Sequence, residues 1–333
     1  MTLCVSWIRK VNNSEELIFA TDSCLSGGER WHSGVKLFEL PRKDCLISFA
    51  GETNRTYPLI LNLISSIKFD EHLSNPHTDL TEVLDYLTNL FTNLCNSITD
   101  YGTQEFKDVL GDFSFLFGGW SWKQNRFKLW KLKYKFDTEA FVHDEVSEEG
   151  MFYGFIGDEL ETAEQKLEEE IKNNGKILSR IFDMEPFRVL LTMIRDEEFT
   201  TIDGAIQIAK IHPPGTTEFF GVYHRGKRTF LGKDVSFENN PNVKFIDPET
   251  ATITGDELPE KLNSIEEDVY GINTEFVEKC YPETTNEQGE TERKLKDNLT
   301  SRENHLLKSI FSDIAYSRFL ENEKEEIENG QQE

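Results

Sequence analysis

The residue best placed to do chemistry is the second. Thr2 follows Met1, and an initiator methionine is ordinarily removed before a residue as small as threonine. A chain that starts at Thr2 holds a hydroxyl nucleophile and a free α-amine on one residue. Hydroxyls are weak nucleophiles and need a base beside them. A free α-amine, with a pKa of about 7.7–8.0, is partly neutral near pH 7 and can be that base without a histidine. A Met-Thr start is common, so its weight depends on the residues downstream.

Other routes to chemistry are poorly supplied. The seven His form no H-x-x-x-H pair and no cluster, so no metal site is expected. Five scattered Cys, an odd number, make neither a disulfide framework nor paired C-x-x-C ligands. Cys4, Cys24 and Cys45 of the N-terminal hairpins read as core thiols, Cys24 lying in the cleft loop, and the expected compartment is a reducing cytoplasm. No organic cofactor is called for. Asp22 and Asp158 are available as an acid–base carboxylate pair, with nothing in the sequence to bring them together. With 36 basic against 61 acidic residues, the net charge is −25. That excludes binding to a nucleic-acid backbone, which needs charge neutralisation by Lys and Arg, and to an anionic membrane surface. No stretch approaches the ~18 apolar residues of a membrane span, and the N-terminus does not read as a secretory signal.

The elements that must position Thr2 follow from periodicity. Leu3–Val11 and Leu17–Thr21 are apolar runs around an Asn-Asn-Ser turn and predict a hairpin. Val35–Leu40 and Cys45–Ala50 predict a second, turning at Pro41–Asp44. Helices are predicted over Arg55–Phe69 and Glu82–Ile98, the latter with one apolar face from Val83 to Ile98. Strands follow at Phe113–Trp120, Arg126–Tyr134 and Met151–Ile156, with a bulge expected near Leu129–Trp130, where alternation slips. Helices at Glu159–Asn173 and Pro186–Arg195 precede closing strands at Ala205–Ile211, Glu218–His224 and Thr229–Leu231. Strands in hairpin pairs, each set followed by a helix pair, point to an α+β layered fold rather than a doubly wound sheet.

Five segments in order then give Thr2 its context. They are Thr2 itself, Ala20-Thr21-Asp22-Ser23, Ser26-Gly27-Gly28, Val35-Lys36-Leu37-Phe38 and Ser48-Phe49-Ala50-Gly51-Glu52. Together they resemble a proteasome β subunit, especially the bacterial proteasome-like peptidase that works with a ring-shaped unfoldase. Leu116–Trp120, Phe155–Glu159 and Ile202–Ala205 extend the resemblance more weakly, to about residue 235. It implies the four-layer αββα sandwich of N-terminal nucleophile hydrolases. It also implies Thr2 as nucleophile, Lys36 as a buried cation lowering the amine pKa, Asp22 as that lysine's partner and Gly51 N–H as oxyanion donor. Ser26 falls on the loop lining the cleft, and Phe49 at the floor of the first specificity pocket. The sequence departs from the pattern at Cys24, where an arginine is usual. It departs again at Asp158, which takes the place of a helper serine and could orient the amine. A second helper carboxylate has no clean match, Asp196 and Asp203 both lying near.

The chain is therefore expected to divide into a hydrolase domain over 1–235 and an acidic, partly helical extension over 236–333. Residues 251–333 hold 9 basic and 21 acidic side chains. Thr300 and Glu303 form a capping box ahead of an apolar stripe at Leu307, Ile310, Phe311 and Ile314, and the Glu-rich run from Glu321 reads as frayed. The expected activity is threonine-type hydrolysis of a polypeptide. The resemblance implies a homo-oligomeric ring and an ATPase unfoldase or adaptor as partner. A non-catalytic ring or scaffold subunit and a small-amide amidase stay open as alternatives.

Overall fold

A computed structural model describes residues 2–11, 14–26, 30–75, 77–99, 113–146, 151–175, 181–196, 198–235, 243–254, 274–285, 291–296, 298–300, 303, 307 and 310. Met1, Gly27, Gly28, Phe311, Ile314 and the Glu-rich run from Glu321 lie outside the described residues.

The strands in chain order are β1 Leu3–Val11, β2 Ser14–Thr21, β3 Leu37–Glu39, β4 Cys45–Gly51, β5 Phe113–Ser121, β6 Arg126–Lys135, β7 Ala140–Glu145 and β8 Tyr153–Gly157. They continue with β9 Gln207–His212, β10 Thr216–His224, β11 Lys227–Phe230, β12 Lys233–Asp234, β13 Lys244–Asp247, β14 Thr252–Thr254, β15 Glu283–Thr285 and β16 Thr291–Arg293. The helices are α1 Thr53–Phe69, α2 Leu80–Asn96, α3 Leu160–Asn173, α4 Glu185–Arg195 and α5 Thr274–Cys280.

Two sheets dominate. One runs β3-β4-β5-β6-β7; the other runs β12-β11-β10-β9-β2-β1-β8, with β13 beside β10. The N-terminal hairpin is long and regular, pairing Cys4 with Thr21 and Val11 with Ser14. Its register brings the start of β1 beside the end of β2, and β8 closes on β1 from the other side by pairing Leu3 with Gly157. Thr2 therefore sits where three strand ends meet.

The expected fold class, an αββα sandwich of two antiparallel sheets, is corrected by these elements. Sixteen strands stand against five helices among the described residues. The larger sheet is mixed, because β13 joins β10 in parallel, pairing Phe220 with Lys244 and Val222 with Ile246. The physical reason is the apolar pair Phe245–Ile246. Both are buried, so a segment assigned to the extension completes a sheet edge. The chain separates into two compact units, Met1–Thr252 and Ile253–Glu333.

Most of the core lies on the two faces of the smaller sheet. On one face, Phe49, Phe115, Phe117, Trp130 and Leu132 pack with Leu63, Leu87 and Phe91 of α1 and α2. On the other, Leu116, Phe127 and Leu129 meet Cys4, Phe19 and Ala209 of the larger sheet. This arrangement removes the expected bulge at Leu129–Trp130. The register through β6 is unbroken, Leu129 opposite Gly118 and Trp130 opposite Phe117. Alternation is masked because both faces of the strand are buried, not because the strand slips. Helix α2 starts two residues earlier than the apolar stripe suggests, because Asp79 and Glu82 form a capping box.

In the second unit, Val277, Cys280 and Tyr281 pack with Leu307 and Ile310. Thr300 N donates to Glu303 Oε2 at 2.9 Å and Glu303 N to Thr300 Oγ1 at 3.2 Å, the reciprocal bonds of a capping box.

Glu218 staples β13 to the sheet. It is bonded to His212 at 3.3 Å and paired with Lys244 at 3.2 Å, and its carboxyl is lowered to about 2, chiefly by the His212 bond. A carboxyl depressed on folding contributes stability above its ordinary pKa and loses it as pH falls through the depressed value. Glu218→Gln should lower the melting temperature at pH 7 and leave little difference near pH 2. A thermal-melt difference constant with pH would contradict this.

Candidate active site

The site is built from the strand ends around Thr2. Lys36, immediately before β3, extends its ammonium to Thr2 Oγ1 at 2.5 Å. The same ammonium donates to both oxygens of Asp22 at 3.0 and 2.9 Å. Asp22 directly follows β2, so the N-terminal hairpin fixes it beside Thr2. Lys36 and Asp22 are both wholly buried.

Buried charge is tolerated only when paired and hydrogen-bonded. Asp22 meets that condition fully. Besides Lys36 it accepts backbone N–H bonds from Leu3 and Cys24, each at 3.1 Å, and from Asp203 at 3.4 Å. Burial pushes its carboxyl upward, opposed first by Lys36 and then by the backbone donors. Lys36 is held from behind by Gln207. The Gln207 Oε1 accepts from Lys36 N at 3.0 Å, and its Nε2 donates to Gly34 O at 2.6 Å.

The nitrogen of Thr2 faces a different partner. It donates to Asp158 Oδ2 at 2.6 Å, while Asp158 N donates back to Thr2 O at 2.8 Å. In the chain as encoded this nitrogen is the peptide nitrogen to Met1, and it stands where the α-amine would be. Burial raises the Asp158 carboxyl, and the Thr2 N–H bond opposes that shift. Gly157 makes the exchange possible. Its φ is +115°, and a Cβ there would lie 1.9 Å from Thr2 O. Only glycine permits that close approach.

Gly51 ends β4 at a φ of +106°. With Gly157 and Asp158 it lines a cavity of about 530 Å³. Thus Thr2, Asp22, Lys36 and Asp158 are drawn together by direct bonds, and Gly51 by the shared cavity.

Two other expected residues lie on neighbouring segments. Ser26 is half-buried on the loop after β2, next to the Leu25–Trp31 bridge. Phe49 is wholly buried. It packs on Tyr57 at 5.4 Å and Phe38 at 6.3 Å, on the α1–α2 side of its sheet rather than in the cavity beside Gly51. Cys4 lies under the site, its thiol donating to Thr21 Oγ1 and to Phe49 O. Burial pushes that thiol up to about 12, which leaves it without thiolate reactivity.

Sequence reasoning missed Gln207 and could not choose between Asp196 and Asp203. Asp203 joins the site through its backbone, and its side chain pairs with Arg30 at 2.9 Å. Asp196 ends α4 and accepts from Glu198 N instead. A glutamine within the largely apolar run Ala205–Ile211, which also holds Lys210, is the available signal for Gln207. Among the described residues no group of three His, Cys, Asp or Glu could hold a metal.

No family model matches this chain, and no curated protein matches it. It is similar to three solved structures of Anbu proteins. The Anbu (Gly-1) mutant from Hyphomicrobium sp. strain MC1 is 11% identical, over 66% of this chain and 87% of the other, with a TM-score of 0.45. Anbu (ancestral beta-subunit) from Yersinia bercovieri is 16% identical over 66% and 86%, with a TM-score of 0.47. The helical assembly of the Anbu complex from Pseudomonas aeruginosa is 14% identical over 68% and 86%, with a TM-score of 0.48.

The resemblance to a proteasome β subunit or the bacterial proteasome-like peptidase is corrected here. The similar structures are Anbu proteins, a distinct though proteasome-like family, and this chain's fold is mixed and sheet-dominated. The motifs that carried the resemblance fix two local hairpins and the residues at their ends, which is less than a family. Identities of 11–16% assign no activity, so the chemistry rests on this chain's own residues.

The ion pair gives a direct test. Lys36→Met leaves Asp22 buried without its partner and should cost about 3–5 kcal/mol in urea unfolding. Adding Asp22→Asn to Lys36→Met should recover part of that loss. Equal stability of wild type and Lys36→Met would contradict the pairing.

Proposed function

We propose that this protein hydrolyses amide bonds of polypeptides, with Thr2 as an N-terminal nucleophile once Met1 is removed. The observation that carries the reading is the division of labour around one residue. The Thr2 hydroxyl is bonded to Lys36 and the Thr2 nitrogen to Asp158.

The reaction follows from those contacts. The neutral α-amine takes the proton from Thr2 Oγ as the oxygen attacks the carbonyl carbon. The C=O pair moves onto the carbonyl oxygen, where the Gly51 N–H is the proposed donor. The intermediate collapses, the C–N bond breaks, and the ammonium returns its proton to the departing nitrogen. The acyl group is left as an ester on Thr2. Water then attacks that ester with the amine again as base, releasing the acid and restoring Thr2.

Lys36 and Asp158 act on the amine in opposite senses. A nearby cation lowers its pKa by like-charge repulsion, and a carboxylate raises it by stabilising the ammonium. Asp22 limits the first effect by neutralising Lys36.

Two measurements test this. Peptide cleavage should fall by roughly a thousandfold or more in Thr2→Ala, and Thr2→Ser should retain part of the activity. Undiminished cleavage in Thr2→Ala would end the reading. Asp158→Asn keeps an acceptor oxygen but removes the charge, so the amine pKa should fall. Because turnover needs the neutral amine, the acidic limb of the rate profile should move down by about one pH unit. An upward shift would contradict the assigned role.

A further inference from the structure

The cavity beside Gly51 and Asp158 contains two cations that the proposed chemistry does not use. Lys131 and Lys133 of β6 both line it. Phe127 and Leu129 of the same strand face between the sheets, and alternation puts Lys131 and Lys133 on that face. The Lys131 stem reaches far inward: its Cε lies 3.0 Å from where a Cβ on Gly154 would be. Neither ammonium has an ion-pair or hydrogen-bond partner among the described residues.

The carboxylates nearby do not satisfy them. Asp158 is bonded to Thr2 N. Asp144 stands opposite Lys131 across the β6–β7 pair but forms no ion pair with it. Glu164 and Asp144 act on Lys131 only through their field, and burial lowers its pKa against them. A half-buried ammonium without a bonded partner gains most from an incoming anion. The cavity walls otherwise include Phe113 and Phe155, which favour apolar contact over bulk water.

Position decides which part of a substrate enters. The departing nitrogen must receive its proton from the Thr2 amine, so it leaves on the amine's side. That amine is bonded to Asp158, and Asp158 lines this cavity. We propose that the cavity receives the leaving portion of the substrate, and that Lys131 and Lys133 select peptides with an acidic side chain one or two residues beyond the scissile bond. This rests on the Thr2 reading.

The test uses the full chain and peptides that share one acyl-side sequence but carry Asp, Ala or Lys at those two positions, with cleavage sites mapped by mass spectrometry. Wild type should show kcat/KM roughly tenfold higher for Asp than for Ala, the worth of one charge-assisted hydrogen bond. That ratio should fall toward one in Lys133→Ala, which alters an exposed position, and in Lys131→Met. It should turn toward Lys-bearing peptides in the variant carrying both Lys131→Glu and Lys133→Glu. Thr2-dependent cleavage with equal rates for Asp and Ala peptides would overturn this proposal and leave the Thr2 reading standing. Absence of any Thr2-dependent cleavage would overturn both.

Discussion

The contact between Lys36 and Asp22 is the constraint around which the rest of the site is arranged. Removing two charges from water costs several kcal/mol per ion even after relaxation, and both groups are wholly buried. The cost is offset because nearly every polar atom of the pair has a use. Asp22 accepts from Lys36 and from three backbone N–H groups. Lys36 spends its remaining donor capacity on Thr2 Oγ1. Each backbone donor comes from a different segment, so the pair ties β1, the end of β2 and the Asp203 turn to one point. Gln207 adds β9 by bonding the Lys36 and Gly34 backbone.

That arrangement also sets which charges stand beside Thr2. A lone buried ammonium beside Thr2 would push the amine pKa down strongly, and a lone carboxylate would push it up. The chain holds one cation neutralised by Asp22 on the hydroxyl side and one carboxylate on the nitrogen side. Asp158 orients the Thr2 nitrogen by accepting its N–H bond. Its return bond from Asp158 N to Thr2 O, over Gly157, fixes the Thr2 backbone as well as its nitrogen. The geometry thus constrains the hydroxyl and the nitrogen of Thr2 independently.

Much of this was legible in the sequence because the informative residues sit at strand ends. The registers of β1 with β2 and of β3 with β4 follow from apolar runs and turns, and they deliver Asp22 and Lys36 to Thr2. Asp158 was visible as a departure from a pattern and as a carboxylate with no stated neighbour. It bonds Thr2 N across a separation of 156 residues, which depends on β8 pairing with β1. Long-range pairing of that kind leaves no periodic trace. The same holds for β13, whose parallel addition to β10 made the sheet mixed and overturned the expected layering. Phe49, which the resemblance put at the floor of a specificity pocket, is wholly buried and packs with Tyr57 and Phe38.

The most direct measurement is the intact mass of the purified protein before and after a peptide epoxyketone, which needs both the hydroxyl and the free amine of a terminal threonine to form its adduct. The account predicts a chain lacking Met1 that gains one inhibitor mass, with no gain in Thr2→Ala. A folded protein that retains Met1 and takes up no inhibitor would contradict it.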